Sequence, residues 1–142
     1  MSTAVKMKAR EKDRIMKVIC YFDMNDAQGE RLERIIELFL SREKILLYRS
    51  MDALRDRLRQ PYNYDNVVLV SLASREGLSE FVSLRDLLRD MRIIMVLPDR
   101  EHDTVALGHL LRPRMISYSD GDFLDVAAVL VRMMEKQEMR LS

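Results

Sequence analysis

The stretch Asn66–Ala73, which reads NVVLVSLA, decides the fold of this 142-residue chain. It is an unbroken apolar run that ends in small and polar residues, with turn-forming residues before it at 62–65 and after it at 74–77. Such a run predicts a strand buried on both faces of a parallel sheet, with helices above and below. In an open α/β sheet the ligand crevice lies at the carboxyl ends of the strands, which places Ser71 at its edge.

The composition indicates a soluble globular protein. Hydrophobic residues make up 48% of the chain, charged residues make up 33%, and the formal net charge is +1. This balance argues against disorder and gives no overall field that would attract nucleic acid or anionic lipid. Cys20 is the single cysteine, which excludes an intramolecular disulfide and suits a reducing compartment. No apolar run has the length of a signal peptide or membrane span, so we predict a cytoplasmic protein with no nucleic-acid or membrane partner.

Strand-like and helix-like segments alternate along the rest of the chain. Further strands are predicted at Val18–Phe22, Ile45–Tyr48, Arg92–Leu97 and Met115–Tyr118. Helices are predicted after each strand, at about 27–40, at 50–60 with Ser50 as cap, at 78–90, at 103–111 and from 123 onward. This alternation predicts a parallel sheet covered on both faces, within a single domain at 14–142 that follows a flexible polar leader at 1–13.

Two of these helices have well-defined apolar stripes. The first carries Leu32, Ile35, Ile36, Phe39 and Leu40 at the spacing of one buried face. The core stripe of the last helix is predicted to contain Phe123, Leu124, Ala127, Leu130, Val131 and Met134. Val126, Ala128, Val129 and Met133 are apolar residues outside that stripe. The last helix is therefore predicted to be covered by more than its own domain.

Over roughly residues 15 to 137 the chain resembles the receiver domain of bacterial two-component response regulators. The local marks are Met51–Leu54 after the second strand, Tyr64–Asp65 before the third strand, and Ile93–Val96 in the fourth. The resemblance implies a flavodoxin-like (βα)5 three-layer sandwich, with a parallel five-stranded sheet in the order 2-1-3-4-5.

The resemblance also implies five groups at the carboxyl edge of the sheet. These are two acids that bind Mg²⁺, an aspartate that accepts a phosphoryl group, a hydroxyl residue and a lysine. The matching positions here are Phe22, Asp23, Ser71, Leu97, and Tyr118 or Ser119. Only Asp23 fits, and a serine without an adjacent base is a poor nucleophile. We therefore predict a pseudo-receiver with no catalytic residue, no metal and no cofactor, which is not phosphorylated on aspartate.

A second interpretation gives the crevice a chemical role. Asp23, Asp26 and Asp99 follow strand ends, as do Asp120 and Asp122, so together with Ser71 they could form the site of a small-ligand or Mg²⁺-dependent sensor or enzyme. The same acids could instead cap helices and complement helix dipoles. The Asp23-Met24-Asn25 segment faintly resembles haloacid-dehalogenase phosphatases, but Asn25 cannot act as the general acid of that family.

The leading prediction is a signalling domain that binds other proteins. Receiver domains commonly pair or bind targets through the face made by helix 4, strand 5 and helix 5, and the resemblance implies the same face here. A symmetric homodimer would cover the extra apolar residues of the last helix. The candidate interface residues are Tyr118, Val126, Val129 and Met133.

Overall fold

Five parallel strands form one sheet in the order β2-β1-β3-β4-β5, as predicted. This computed structural model describes residues 17–23, 27–60 and 67–141. The leader at 1–13, Asn25, Asp26 and the turn at 62–65 lie outside these ranges. The strands are β1 Val18–Phe22, β2 Ile45–Tyr48, β3 Val67–Ser71, β4 Arg92–Leu97 and β5 Met115–Tyr118. The helices are α1 Ala27–Phe39, α2 Met51–Leu58, α3 Arg75–Val82, α4 His102–His109 and α5 Leu124–Leu141.

Each face of the sheet carries its own core, because successive side chains of a strand point to opposite faces. On one face, Val18, Cys20 and Phe22 of β1 pack in the cluster that includes the buried residues of α1 and α5. On the other face, Ile19 and Tyr21 belong to the cluster that α2 and α3 cover, with partly buried residues of α4 at its side. The burial of β1 and β3 on both faces confirms the prediction drawn from the run at 66–73.

The third helix is shorter than predicted. It ends at Val82 instead of continuing to Asp90, because the Ser83 hydroxyl donates to the Glu80 carbonyl and competes for a helical acceptor. The following turns are tightened by i to i−3 bonds, such as those from Leu84 N–H to Phe81 O and from Leu87 N–H to Leu84 O. Leu84 remains buried in this tighter arrangement.

Three predictions about the apolar stripes are wrong. Phe39 at the end of α1 is 50% exposed and Leu124 at the start of α5 is 51% exposed, although the apolar stripes predict that both are buried in the core. A position at a helix terminus has fewer neighbouring elements to cover it than one in the middle. The third error concerns Val126, which is predicted to lie outside the buried stripe. Its side chain is in fact 0% exposed and packs with α1 and the sheet.

Candidate functional site

A small crevice lies at the carboxyl edge of the sheet, between the ends of β1, β3, β4 and β5. Its volume is about 130 Å³, and it is lined by Phe22, Asp23, Gln28, Ser71, Leu72, Ala73, Pro98 and Ser119. The sheet ladder brings these residues together, since Phe22 lies beside Ser71 in register and the Ser71 carbonyl accepts the Asp23 N–H at 3.0 Å. Asp23 is the single charged residue among these eight.

The carboxylate of Asp23 is held on the α3 side of the crevice. The Ala73 N–H donates to its Oδ2 at 3.3 Å, and the Tyr21 hydroxyl forms a further hydrogen bond with it. Gly77 in the first turn of α3 lies directly against it, because a Cβ atom built on Gly77 would lie 2.0 Å from Asp23 Oδ2. The acid therefore joins the end of β1 to the start of α3, and a side chain larger than glycine at position 77 would have to displace the Asp23 carboxylate.

Tyr21 is a buried partner of this acid. Its side chain is 3% exposed and stacks on Phe81 of α3, with ring centroids 6.3 Å apart and planes 4° apart. Burial, followed by the negative charges of Asp23 and Glu80, raises the pKa of Tyr21 to about 12. The hydroxyl is therefore neutral at physiological pH and serves as the hydrogen-bond donor to Asp23.

Ser71, Leu97 and Ser119, which the resemblance to receiver domains matches to reactive positions, lie in different environments in this structure. Ser71 is half-buried at the crevice wall, and Leu97 is fully buried in the core. The Ser119 hydroxyl donates to the Pro98 carbonyl at 3.2 Å. Within the described ranges, no three His, Cys, Asp or Glu side chains gather closely enough to hold a metal ion together.

Gln28 of α1 supplies a polar atom that no group in the described ranges satisfies. Its Oε1 is buried and has no hydrogen-bond partner among the described residues, although Gln28 lines the crevice beside Ser71 and Ser119. A buried acceptor without a donor costs about 1–3 kcal/mol. The crevice can therefore accept a donor from water or a small molecule, and this atom is its least satisfied point.

Asp99 does not share the crevice with Asp23 and Ser71. It lines an open groove of about 580 Å³ between α3 and α4, together with Arg75, Glu76, Ser79, Glu101 and Leu107. Hydrogen bonds from the Thr104 hydroxyl and then from the Glu101 N–H hold the pKa of Asp99 below its usual value. The predicted cluster of crevice acids is thus divided, with Asp26 outside the described residues.

Two arginines secure the loop between β5 and α5. Arg100 forms an ion pair with Asp120, holding the pKa of that carboxyl below its ordinary value, and lies 4.2 Å from the ring centroid of Tyr118. Arg31 of α1 donates to the Gly121 carbonyl at 2.8 Å and lies 5.1 Å from the Phe123 ring centroid. Phe123 is buried with a φ of 66°, so this loop holds a residue in the left-handed region.

The candidate interface residues occupy different environments. Tyr118 is half-buried on the edge strand beneath Arg100, while Val129 and Met133 are half-buried against the α1–α5 core. Val126 is fully buried and unavailable to a partner. Cys20 is buried as well, and burial followed by the charge of Glu33 raises the pKa of its thiol to about 12.

The sequence patterns do not predict the roles of Tyr21, Gly77, Gln28 and Arg100. The partners of Tyr21 and Gly77 meet only when β1 and α3 come together in three dimensions. A glycine in the first turn of a helix after a serine cap was the single local signal, since glycine lowers helix propensity.

Of the helices in the described ranges, none has the length and apolarity to cross a membrane.

Comparison with known proteins supports the architecture. No protein-family model matches the chain, and no curated protein matches it. A CheY-like response regulator receiver domain protein from Methanospirillum hungatei matches with a TM-score of 0.65 at 13% identity, covering 88% of this chain and 98% of that one. A response regulator from Thermotoga maritima matches with a TM-score of 0.58 at 9% identity, covering 84% and 98%. At these identities the likeness shows a shared CheY-like flavodoxin fold.

Proposed function

We propose that this protein is a pseudo-receiver, a non-catalytic domain that binds other proteins in signalling and is not phosphorylated on aspartate. The observation that carries the proposal is Ser71, which ends β3 at the crevice where a receiver domain places its accepting aspartate. The likeness of the fold to response regulators supports a signalling role.

The electrostatics of the crevice support this proposal. A phosphoryl group on Ser71 would add negative charge to a small space whose charged lining residue is Asp23. Arg75 at the start of α3 and Arg100 on the loop after β4 lie nearby, but both form ion pairs, Arg75 with Glu101 and Arg100 with Asp120. The described lining of this crevice offers no cation, so it cannot stabilise the negative charge of a phosphorylated product.

The proposed partner surface is the face formed by α4, β5 and α5, and the proposed assembly is a homodimer through this face. Two features support it. Strand β5 is an edge of the sheet, and Val129 and Met133 leave part of their apolar surface uncovered beside it. A two-fold dimer buries such a patch on both copies with one set of contacts.

Treatment with acetyl phosphate and Mg²⁺ tests the proposal. Intact-mass spectrometry should show no added phosphoryl group, and the molar mass in solution should be the same with and without the phosphodonor over a concentration series. A receiver domain known to be phosphorylated by this reagent serves as the positive control. Added phosphate that disappears in Ser71→Ala, or that persists there and disappears in Asp23→Asn, would overturn the proposal and identify the acceptor.

The unsatisfied Oε1 of Gln28 favours a second candidate function. In this alternative the protein is a sensor that binds Mg²⁺, or a small molecule carrying a hydrogen-bond donor, in the crevice. If Mg²⁺ binds there, it should raise the melting temperature of the wild type but not of Gln28→Met, because a ligand of the native state stabilises it. If nothing binds, Gln28→Met should be more stable than the wild type by about 1 kcal/mol, since a lone buried acceptor is removed.

A further inference from the structure

The crevice at the carboxyl edge of the sheet is lined by oxygen acceptors from three parts of the chain. Gln28 of α1 contributes a buried Oε1 that has no hydrogen-bond partner among the described residues, and Asp23 contributes the carboxylate that follows β1. Ser119 lies on the loop after β5, where its hydroxyl donates to the Pro98 carbonyl. The lone pairs of that hydroxyl oxygen can still accept a hydrogen bond.

The donors at the same strand ends are already engaged. Four backbone N–H groups of the lining, those of Asp23, Leu72, Ala73 and Ser119, donate respectively to Ser71 O, Val96 O, the Asp23 carboxylate and Leu97 O. No lysine or arginine is among the described residues that line the crevice. An anion would therefore meet a negative carboxylate and engaged donors, whereas a cation that carries N–H groups would meet acceptors.

The size and charge of the crevice favour a small monovalent cation. Its volume of about 130 Å³ equals that of about four water molecules. Asp23 supplies one negative charge, and within the described ranges no three acidic, histidine or cysteine side chains gather to balance a divalent ion. A primary ammonium group has one positive charge and three N–H donors on a compact head. These features match one carboxylate and two neutral acceptors.

We propose that the crevice binds a primary ammonium group through the Asp23 carboxylate, the Gln28 Oε1 and the Ser119 hydroxyl oxygen. This inference rests on the second candidate function and deepens it, since it names the class of ligand that the crevice takes. Binding is favourable at Gln28 because its Oε1 is already buried in the free protein, so the new hydrogen bond satisfies an atom that lacks one. The ammonium group belongs to a free small amine or to a lysine side chain of a partner protein, which present the same chemistry.

Methylammonium chloride tests the proposal on the full chain. Tetramethylammonium chloride is the matched salt, because its cation has the same charge but no N–H donor. At equal ionic strength, methylammonium should raise the melting temperature of the wild type increasingly with concentration, and tetramethylammonium should not. The side-chain amide signals of Gln28 in ¹H–¹⁵N NMR spectra should shift in the same titration. Equal effects of the two salts would overturn the proposal.

Variants of Gln28 test the contact itself. Gln28→Met should weaken methylammonium binding about tenfold, because one hydrogen bond to a charged donor is lost. Gln28→Glu should tighten it, since a second carboxylate faces the cation, and this variant carries the test if Gln28→Met does not fold. Gln60→Met is the matched control, because it makes the same substitution at an exposed position just after α2. Equal affinities of Gln28→Met and Gln60→Met, or weaker binding by Gln28→Glu than by the wild type, would contradict the proposed site.

Further probes distinguish the source of the ammonium group. Binding of Nα-acetyl-lysine methylamide at least as tightly as methylammonium would support a lysine of a partner protein. Binding of methylammonium and ethanolamine without the lysine derivative would support a free amine, and both results support the ammonium class. Stabilisation by Mg²⁺ without methylammonium would overturn the ammonium ligand and leave the sensor function in place. A melting temperature unchanged by all of these ligands would overturn both.

Discussion

Two regions of the same sheet edge hold their carboxylates in different ways. Between β1 and β3, Asp23 accepts from neutral donors, the Ala73 N–H and the Tyr21 hydroxyl, and lies against a glycine. On the loops after β4 and β5, the acids are paired with arginines, Glu101 with Arg75 and Asp120 with Arg100. Side chains in these two ion pairs are 46–69% exposed.

The difference indicates which region the fold depends on. The first region combines hydrogen bonds with a steric fit, so a change there must move an acid, a helix or a buried aromatic ring. The second region relies on exposed ion pairs, which contribute little to stability and are screened by salt. We therefore expect the Asp23 region to be rigid, and the exposed ion-paired residues of the β4–α4 and β5–α5 loops to tolerate substitution.

The largest effect should come from Gly77→Ala. The new Cβ displaces the Asp23 carboxylate from the Ala73 N–H and the Tyr21 hydroxyl, which should lower the free energy of unfolding by about 2 kcal/mol after the gain in helix propensity is included. Denaturant unfolding measures this loss.

In an Asp23→Ala background, Gly77→Ala should raise the free energy of unfolding instead of lowering it. With the carboxylate absent, Gly77→Ala contributes only the better helix propensity of alanine and should stabilise the protein by up to about 1 kcal/mol. Gly108→Ala is the matched control, because the nearest atom to its Cβ is the flexible Met95 sulfur at 3.1 Å. Equal effects of Gly77→Ala in both backgrounds would contradict the steric contact with Asp23.

A smaller loss should follow Tyr21→Phe, which keeps the ring stacked on Phe81 and removes one hydrogen bond to Asp23. We expect a loss of about 1 kcal/mol at neutral pH. The wild type should also lose stability as pH rises from about 10 to about 12, because the unfolded tyrosine releases its proton before the folded one, whose pKa is about 12. This alkaline loss should be smaller in Tyr21→Phe, with Cys20 contributing equally to both proteins.

Replacement of Arg100 with glutamine should have a still smaller effect. It removes the ion pair with Asp120 and the contact with the Tyr118 ring, but both lie at the exposed surface. The melting temperature should fall slightly at low salt, and the difference from the wild type should disappear at high salt. A difference that persists at high salt would show that the loop region is as rigid as the Asp23 region.

The smallest effect on stability should come from replacing Asp99 and Asp120, and it should appear only at acidic pH. The lowered pKa values of Asp99 and Asp120 mean that their contribution to stability is present above about pH 4 and is lost as pH falls through the folded-state values. The variant Asp99→Asn, Asp120→Asn should therefore show a shallower decline in melting temperature below pH 4 than the wild type. An equal decline in both proteins would assign the acid sensitivity to other carboxyls.

Local signals were sufficient to predict the sheet. The strands at 18–22 and 45–48 have the predicted bounds, and Ser50 caps α2 by accepting from the Ala53 N–H. These features depend on residues that are neighbours in sequence, so periodicity and capping rules identify them. The strand order follows from the resemblance to receiver domains, and the structure confirms it.

The site was less predictable, because its contacts join distant parts of the chain. Asp23 and Ser71 were placed at one crevice and both line it, but Asp99 lies in a separate groove through its bonds to Thr104 and Glu101. Periodicity gives the angular position of Val126 on α5 but not the width of the face that α1 and the sheet cover. The burial of that residue depends on packing between helices that the sequence pattern does not report.

The two layers that cover the sheet differ in when their parts are synthesised. The layer made by α2, α3 and α4 comes from one continuous middle portion of the chain, whereas the other layer joins α1 to α5, the last helix. On a ribosome, the strands can pair and be covered on the first face while the second still exposes Phe22, Leu69 and Val96. The arrival of α5 then closes this face, so a chain stalled before residue 124 would present a large apolar surface to chaperones.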